Sequence, residues 1–134
     1  ENSWMHNPPA LRVARPPHAA RMHPDDAVAL GLVNRDRVRL VSPWGAIELP
    51  VLVTDEVSRG VVAVPHGWGH KGQGGWANAN REGGVSVNDL MDTRAAGLDP
   101  LSGMSHLFGV KIRAERVADQ AETVTATAAA VEEA

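Results

Sequence analysis

A mainly β fold with short helices, a small closed or partly closed barrel, is predicted from three observations. Two stretches, 36–42 and 46–54, alternate apolar and polar residues with the period of a strand. Only one short stretch, after His23, carries clear helix-start signals. Several of the segments between are long, polar and rich in Gly, Pro and Asn, and read as loops. About six or seven short strands with polar loops protect their edges best by closing on themselves.

The 134 residues fit one domain, a size that buries roughly two-thirds of the unfolded surface. Hydrophobic residues make up 43% but aromatics only 4%, so the core must be aliphatic. With no cysteine, disulfides and thiolate metal sites are excluded. A net charge of −3 argues against neutralising a phosphate backbone, so nucleic acid is not the expected partner. No apolar run approaches the ~20 residues of a membrane span. The chain opens at Glu1 without a methionine or signal-like segment, which reads as a piece of a longer protein.

Along the chain, Asn2 to Pro9 is polar and proline-bound, unsuited to a helix. Leu11 and Val13 alternate with Arg12 and Ala14, a strand candidate ended by Pro16-Pro17. His23-Pro24-Asp25-Asp26 starts a helix of about two turns. Proline suits the first helical position, the aspartates suit the positive end of the dipole, and Gly31 suits the stop. Val38 and Leu40 alternate with Arg37 and Arg39; after the Pro43-Trp44-Gly45 turn, Ile47, Leu49, Val51 and Val53 continue on one parity. The pair reads as a hairpin with one buried face. Val61 to Val64 is continuously apolar and reads as a strand buried on both sides. Lys71 to Gly84 has no period and reads as a functional loop. Val110, Ile112 and Ala114 alternate with Lys111, Arg113 and Glu115 in a final strand. Residues 118–134 lack an apolar stripe and read as a disordered tail, leaving 1–117 as the domain.

Pro65-His66-Gly67-Trp68-Gly69-His70 stands apart, with Gly74-Gly75-Trp76 shortly after it. Three readings compete. His66 and His70, with His106, suggest zinc, but Gly67 and Gly69 disfavour the helix that would align two histidines four apart. In the second reading, the imidazoles cap loop backbone and pack on tryptophan. In the third, a planar ligand of alternating donors and acceptors meets His and Asn side chains and bare backbone amides. Asn2, Asn7, Asn78, Asn80 and Asn88 all fall in segments beside Gly, His or Trp, which favours it. Ser3, Ser102 and Ser105 have histidines nearby but no nucleophile elbow. Arg12, Arg15 and Arg21 could hold a pyrophosphate or simply pair with carboxylates. Gly72 to Gly75 fit neither a P-loop nor a dinucleotide fingerprint.

Seven stretches, in order, resemble the C-terminal molybdopterin-dinucleotide-binding domain of the molybdopterin oxidoreductases, the formate dehydrogenase, nitrate reductase and dimethyl sulfoxide reductase type. They are Asn2 to Asn7; Met22 to Ala27 with Leu30-Gly31-Leu32; Val51 to Asp55 with Gly60-Val61-Val62; Pro65 to His70; Gly75-Trp76 with Asn78 and Asn80; Val87 to Leu90; and Asp99 to Gly103. The resemblance implies a double-psi β-barrel that is the last domain of a larger subunit. It implies a molybdopterin guanine dinucleotide cofactor carrying molybdenum or tungsten, with no metal ligand and no catalytic residue in this segment. The cofactor-binding positions it implies are Asn2, Ser3, His6, Asn7, His66, Gly67, Trp68, Gly69, His70, Asn80 and Asn88. The implied partners are the N-terminal domains of the same subunit, with any iron–sulfur cluster, and a small-molecule redox substrate. The expected compartment is the cytoplasm, or the periplasm if the parent carries a twin-arginine signal. One departure is Arg35-Asp36, where the family usually has Gly-Asp. A tight turn of positive φ tolerates Arg poorly, which puts that turn's geometry in question.

Two other functions compete: a zinc-dependent hydrolase on a small barrel, using His66, His70 and His106, and a non-catalytic interaction barrel of the transcription-factor type. The latter is often basic, which the negative charge here opposes. A self-cleaving decarboxylase barrel needs a Gly-Ser bond, which the chain lacks.

Overall fold

The computed structural model describes residues 8, 18–70, 77–106 and 108–118. The Leu11–Val13 strand candidate, the tail beyond 118 and the first-loop positions Asn2, Ser3, His6 and Asn7 lie outside them.

The described residues form one mixed sheet of five strands: β1 (Ala20–Met22), β2 (Arg37–Val41), β3 (Ala46–Val53), β4 (Val62–Ala63) and β5 (Arg113–Arg116). Two helices accompany it, α1 (Pro24–Ala29) and α2 (Ala77–Arg81), with 3-10 turns at Val87–Leu90 and Ala95–Gly97. The strand order is β4-β1-β3-β2-β5. β1 is parallel to β3; every other neighbouring pair is antiparallel.

The hairpin forms where the alternation predicts it. Val38 faces Leu49 and Leu40 faces Ile47 across β2 and β3, and all four are buried. Their intervening arginines and Glu48 point to water. Each such aliphatic side chain contributes about 1.5–3 kcal/mol by leaving water. Ala20, Met22, Ala27, Leu32, Val51 and Leu90 complete the cluster, and Val110, Ile112 and Ala114 pack against its margin. The core is aliphatic, as the scarcity of aromatics requires.

α1 starts as its sequence dictates. His23 is the N-cap, its Nδ1 accepting from the Asp25 N–H at 3.1 Å, and Pro24 is the first helical residue. Gly31, at φ 65°, closes the helix in the left-handed region. Six residues cannot hold a helix alone, so burial of Ala27 and tertiary bonds fix it. One such bond runs from the Gly60 N–H to Asp26 Oδ2 at 2.6 Å.

Two expectations are corrected, and one strand is added. Ala20–Met22 is a strand that its three residues were too short to reveal by period. Val61–Val64 is not buried on both sides: only Val62 and Ala63 pair, half-buried, on the sheet's edge, and Val61 is exposed. Within the 71–84 segment, 77–81 is helical rather than loop, with Ala79 turned inward. At the Arg35 turn the outcome is different again. Arg35 takes φ 76°, the one described non-glycine residue in that region. The turn geometry is thus retained, with its N–H donating to Val51 O at 2.9 Å. The ladder bonds on either side outweigh the ~1–2 kcal/mol of left-handed strain.

Candidate functional site

Strand direction brings the polar loops to one end. β1 and β4 are antiparallel with Arg21 opposite Ala63, so the residues before β1 and after β4 share an end. β3 runs parallel to β1 and starts earlier, so the 42–45 turn projects past that same end. β5 begins at Arg113 opposite Val41, so the chain entering it arrives there too. The connection 64–112 therefore leaves and re-enters the sheet at the end where Pro65–His70 sits.

Within this crown, His66 is exposed while Trp68 and His70 are half-buried. The Trp68 ring stacks on His18, with centroids 5.0 Å apart and planes at 25°. His18 Nε2 in turn accepts from the Val85 N–H at 3.2 Å. That contact ties the entry of β1 to a segment 67 residues later. Gly67 is buried at φ 95°, and Gly69 has φ 70°. A Cβ on Gly69 would overlap the Val85 and Ser86 backbone, and the Gly69 N–H donates to Gly83 O at 3.3 Å. Gly69 is required for packing of the two backbone segments, independently of any ligand.

The segment then crosses toward the hairpin turn. Ser86 caps the Val87–Leu90 turn, its Oγ accepting from the Asn88 N–H at 3.3 Å, and Leu90 anchors it in the core. The Asn88 side chain is exposed, as is that of Asn80 at the end of α2. Gly45 touches the Asp89 carbonyl so closely that no side chain fits between. Ser42 Oγ holds this turn by accepting from the Trp44 and Gly45 N–H groups at 3.1 and 3.2 Å.

Trp44 is itself part of the crown. The Arg94 guanidinium lies 4.1 Å from its ring centroid and donates to both Asp92 oxygens at 2.9 and 3.0 Å. The Arg94 hydrogen bond holds the Asp92 carboxyl below its ordinary range and raises Arg94 in return. Asp99 is also held low, chiefly by the Ser102 N–H, then by the Ser102 hydroxyl and the Leu101 N–H. Where the hairpin's solvent face meets the 85–89 segment lies an open cleft of about 340 Å³, lined by Arg37, Arg39, Glu48, Val85 and Asp89 among others. Glu48 lies 3.9 Å from each of those arginines, a surface arrangement worth at most about 1 kcal/mol.

The structure thus places Trp68 and Gly69 against the 83–86 backbone, with His66, Gly67 and His70 in the same short segment. His18, Trp44 and Arg94 belong to the same end, and no motif marked them in the sequence. His18 in particular follows two prolines with no spacing cue. Among the described residues, no group of three or more His, Cys, Asp or Glu could hold a metal ion, so His66, His70 and His106 do not assemble the zinc site. Ser102 gives its hydroxyl to Asp99 at 2.9 Å, a loop-building role rather than that of a nucleophile. Arg21 lies 3.6 Å from Glu56, the ion-pair alternative to a pyrophosphate contact. No described helix is long and apolar enough to cross a membrane.

Fold and crown together define a small mixed-sheet domain with one polar, loop-bearing end. The chain belongs to the molybdopterin dinucleotide binding domain family: the model described as "Molydopterin dinucleotide binding domain" matches residues 1–110. It is 28% identical over 125 residues to a tetrathionate reductase subunit of Salmonella typhimurium, covering 81% of this chain. It is 34% identical over 102 residues to the molybdopterin-containing subunit of the arsenate respiratory reductase of a Shewanella species, covering 73% of this chain. The match spans 12% of each relative's length. Among solved structures, acetylene hydratase from Pelobacter acetylenicus superposes with a TM-score of 0.66 at 25% identity, over 87% of this chain and 16% of that one. The family assignment and these matches leave the zinc hydrolase without support.

Proposed function

We propose that residues 1–117 form the domain that covers one face of a molybdopterin guanine dinucleotide in a larger molybdenum or tungsten oxidoreductase. The observation that carries this reading is the meeting, at one end of the sheet, of Pro65–His70 with the 83–90 segment. The side chains there suit such a group. His66, His70, Asn80 and Asn88 offer donors and acceptors, and the Trp68 ring offers a flat face already backed by His18. A pterin or guanine edge presents the complementary pattern. The metal held by the pterin dithiolenes supplies two-electron redox chemistry when the cofactor is bound. This chain's residues bind and orient the group and exclude water from it. Asn2, Ser3, His6 and Asn7 belong to the same proposed set. A double-psi closure of the barrel is the finer topology that this reading expects.

The reaction itself is set elsewhere. The relatives include proteins named as reductases of tetrathionate and of arsenate, and one named a hydratase. A domain shared across those names does not choose the substrate. It supplies one wall, and the remaining domains of the parent polypeptide supply the others.

His66 is the best probe, because its side chain is exposed. Gly67→Val is a poorer one: at φ 95° a β-branched residue strains the backbone whatever it does to a ligand. In the whole parent, His66→Ala is expected to weaken cofactor retention about ten-fold, the scale of one hydrogen bond to a ligand, with the melting temperature of the cofactor-free protein unchanged. The readouts are guanine nucleotide released by acid and metal by elemental analysis. A parent holding neither guanine nucleotide nor molybdenum or tungsten would refute the proposal.

A further inference from the structure

The 98–105 segment combines two properties that rarely occur together. It is tightly built, and it presents apolar side chains to water. Leu98 and Ser105 form an antiparallel bridge. The Asp99 N–H donates to Met104 O at 2.8 Å, and the Gly103 N–H donates to Asp99 O at 2.8 Å. Asp99 Oδ1 accepts from the Leu101 N–H at 3.0 Å, the Ser102 N–H at 2.7 Å and the Ser102 hydroxyl at 2.9 Å. The stem is tied back to the domain by the His106 N–H donating to Gly97 O at 3.3 Å. Yet Leu101 is 96% exposed and Met104 60%, and Phe108, just beyond, is 90% exposed.

A solvated loop gains nothing from Leu at its tip. Ordering a loop in advance lowers the conformational entropy lost on docking, and exposed apolar side chains gain from leaving water. From Pro100 to Ser105 the segment carries no charge, so the surface it fits must be apolar too.

We infer that this hairpin is a docking plug: Leu101 and Met104, flanked by Phe108, seat in an apolar recess of the rest of the same polypeptide. The inference rests on the proposed function, which makes this chain one domain of a larger protein. The occupant follows from proportion. The matched region is 12–16% of the length of the relatives and the solved structure, so most of such a polypeptide is tethered to this domain. A tethered surface competes at an effective concentration in the millimolar range, ahead of a second copy or a separate protein.

The test places a photo-cross-linker in the full-length parent as Leu101→p-benzoylphenylalanine. The site is nearly fully exposed, so the substitution does not perturb folding of the domain. After irradiation, the expected product keeps the mass of a single polypeptide and yields a peptide joining position 101 to a residue outside these 134. A product of doubled mass, a cross-link to another polypeptide, a cross-link confined to these 134 residues, or none at all overturns the inference. Acid-released guanine nucleotide is measured on the same preparation. Nucleotide present without the intramolecular cross-link sinks the plug alone. Nucleotide absent sinks the cofactor reading, whatever the cross-link shows.

Discussion

The two halves of this molecule are held together by different means. In the sheet with α1, apolar side chains on one parity meet in a single aliphatic cluster, and backbone ladders satisfy the polar groups. Among the described residues of the 64–112 connection, only Leu90 is buried in that cluster, while Val64, Val85, Val87, Val110 and Ile112 pack at its margin. Order there comes from single side chains bonding nearby backbone, as Ser86, Asp92 and Asp99 do, and from glycines that let two backbones touch. The first kind of order is distributed over many residues of one type. The second depends on particular residues, which leaves the connection's outer surface available for a ligand or a neighbouring domain.

The sharpest way to break the comparison is to place a charge in the sheet. Val51→Asp puts an unpaired carboxylate in a buried position of β3 and is expected to cost more than about 4 kcal/mol, enough to unfold the domain. Equilibrium denaturation measures it, and a cooperatively folded variant would show that the cluster is not what holds the sheet. Next come two glycines of similar φ. Gly69→Ala combines positive φ with overlap onto Ser86 and is expected to cost about 2–4 kcal/mol. Gly31→Ala has the same φ problem but open space around it, and is expected to cost only about 1 kcal/mol. Equal losses would mean that the contact between 69 and 86 contributes nothing. Smaller, and of opposite sign, is Arg35→Gly. Relief of the left-handed conformation, partly offset by glycine's greater freedom when unfolded, is expected to stabilise by about 0.5–1 kcal/mol. A lower melting temperature would assign the Arg35 side chain a stabilising contact of its own.

The gentlest perturbation is acid. The Asp99 carboxyl is held below its ordinary value of 3.8 by donors in its own loop. Its contribution is therefore complete above that value and is lost as pH falls through the lower folded-state value. The amide resonances of Leu101 and Ser102 are expected to shift together below pH 3.8, before the sheet resonances move. A transition at or above the ordinary carboxylate value would mean that the loop bonds are not formed in solution.

The same contrast governs what the amino-acid order discloses. The hairpin is legible because five or more alternating residues repeat one instruction, and α1 because His23, Pro24, Asp25 and Gly31 each mark a terminus. β1 alternates buried, half-buried and buried in only three residues, too few to stand out. Ala77–Arg81 is helical with a single inward alanine, so it has no period to read. Val61–Val64 looked doubly buried because composition cannot tell an edge from a centre; neighbours decide that. At the crown, the His66–His70 cluster is visible as composition. Its stacking partner His18 is not, because only the antiparallel pairing of β1 with β4 brings them together.

The outermost strands, β4 and β5, are also the two anchors of the 64–112 connection, which makes that connection a strap fastened at both margins of the sheet. Lengthening a strap fixed at both ends is thermodynamically mild, about 0.6 kcal/mol for each doubling of a flexible loop. Insertions midway along it should leave the buckles untouched. This architecture gives a lineage, or an engineer, a place to vary length and chemistry freely while the framework beneath stays the same.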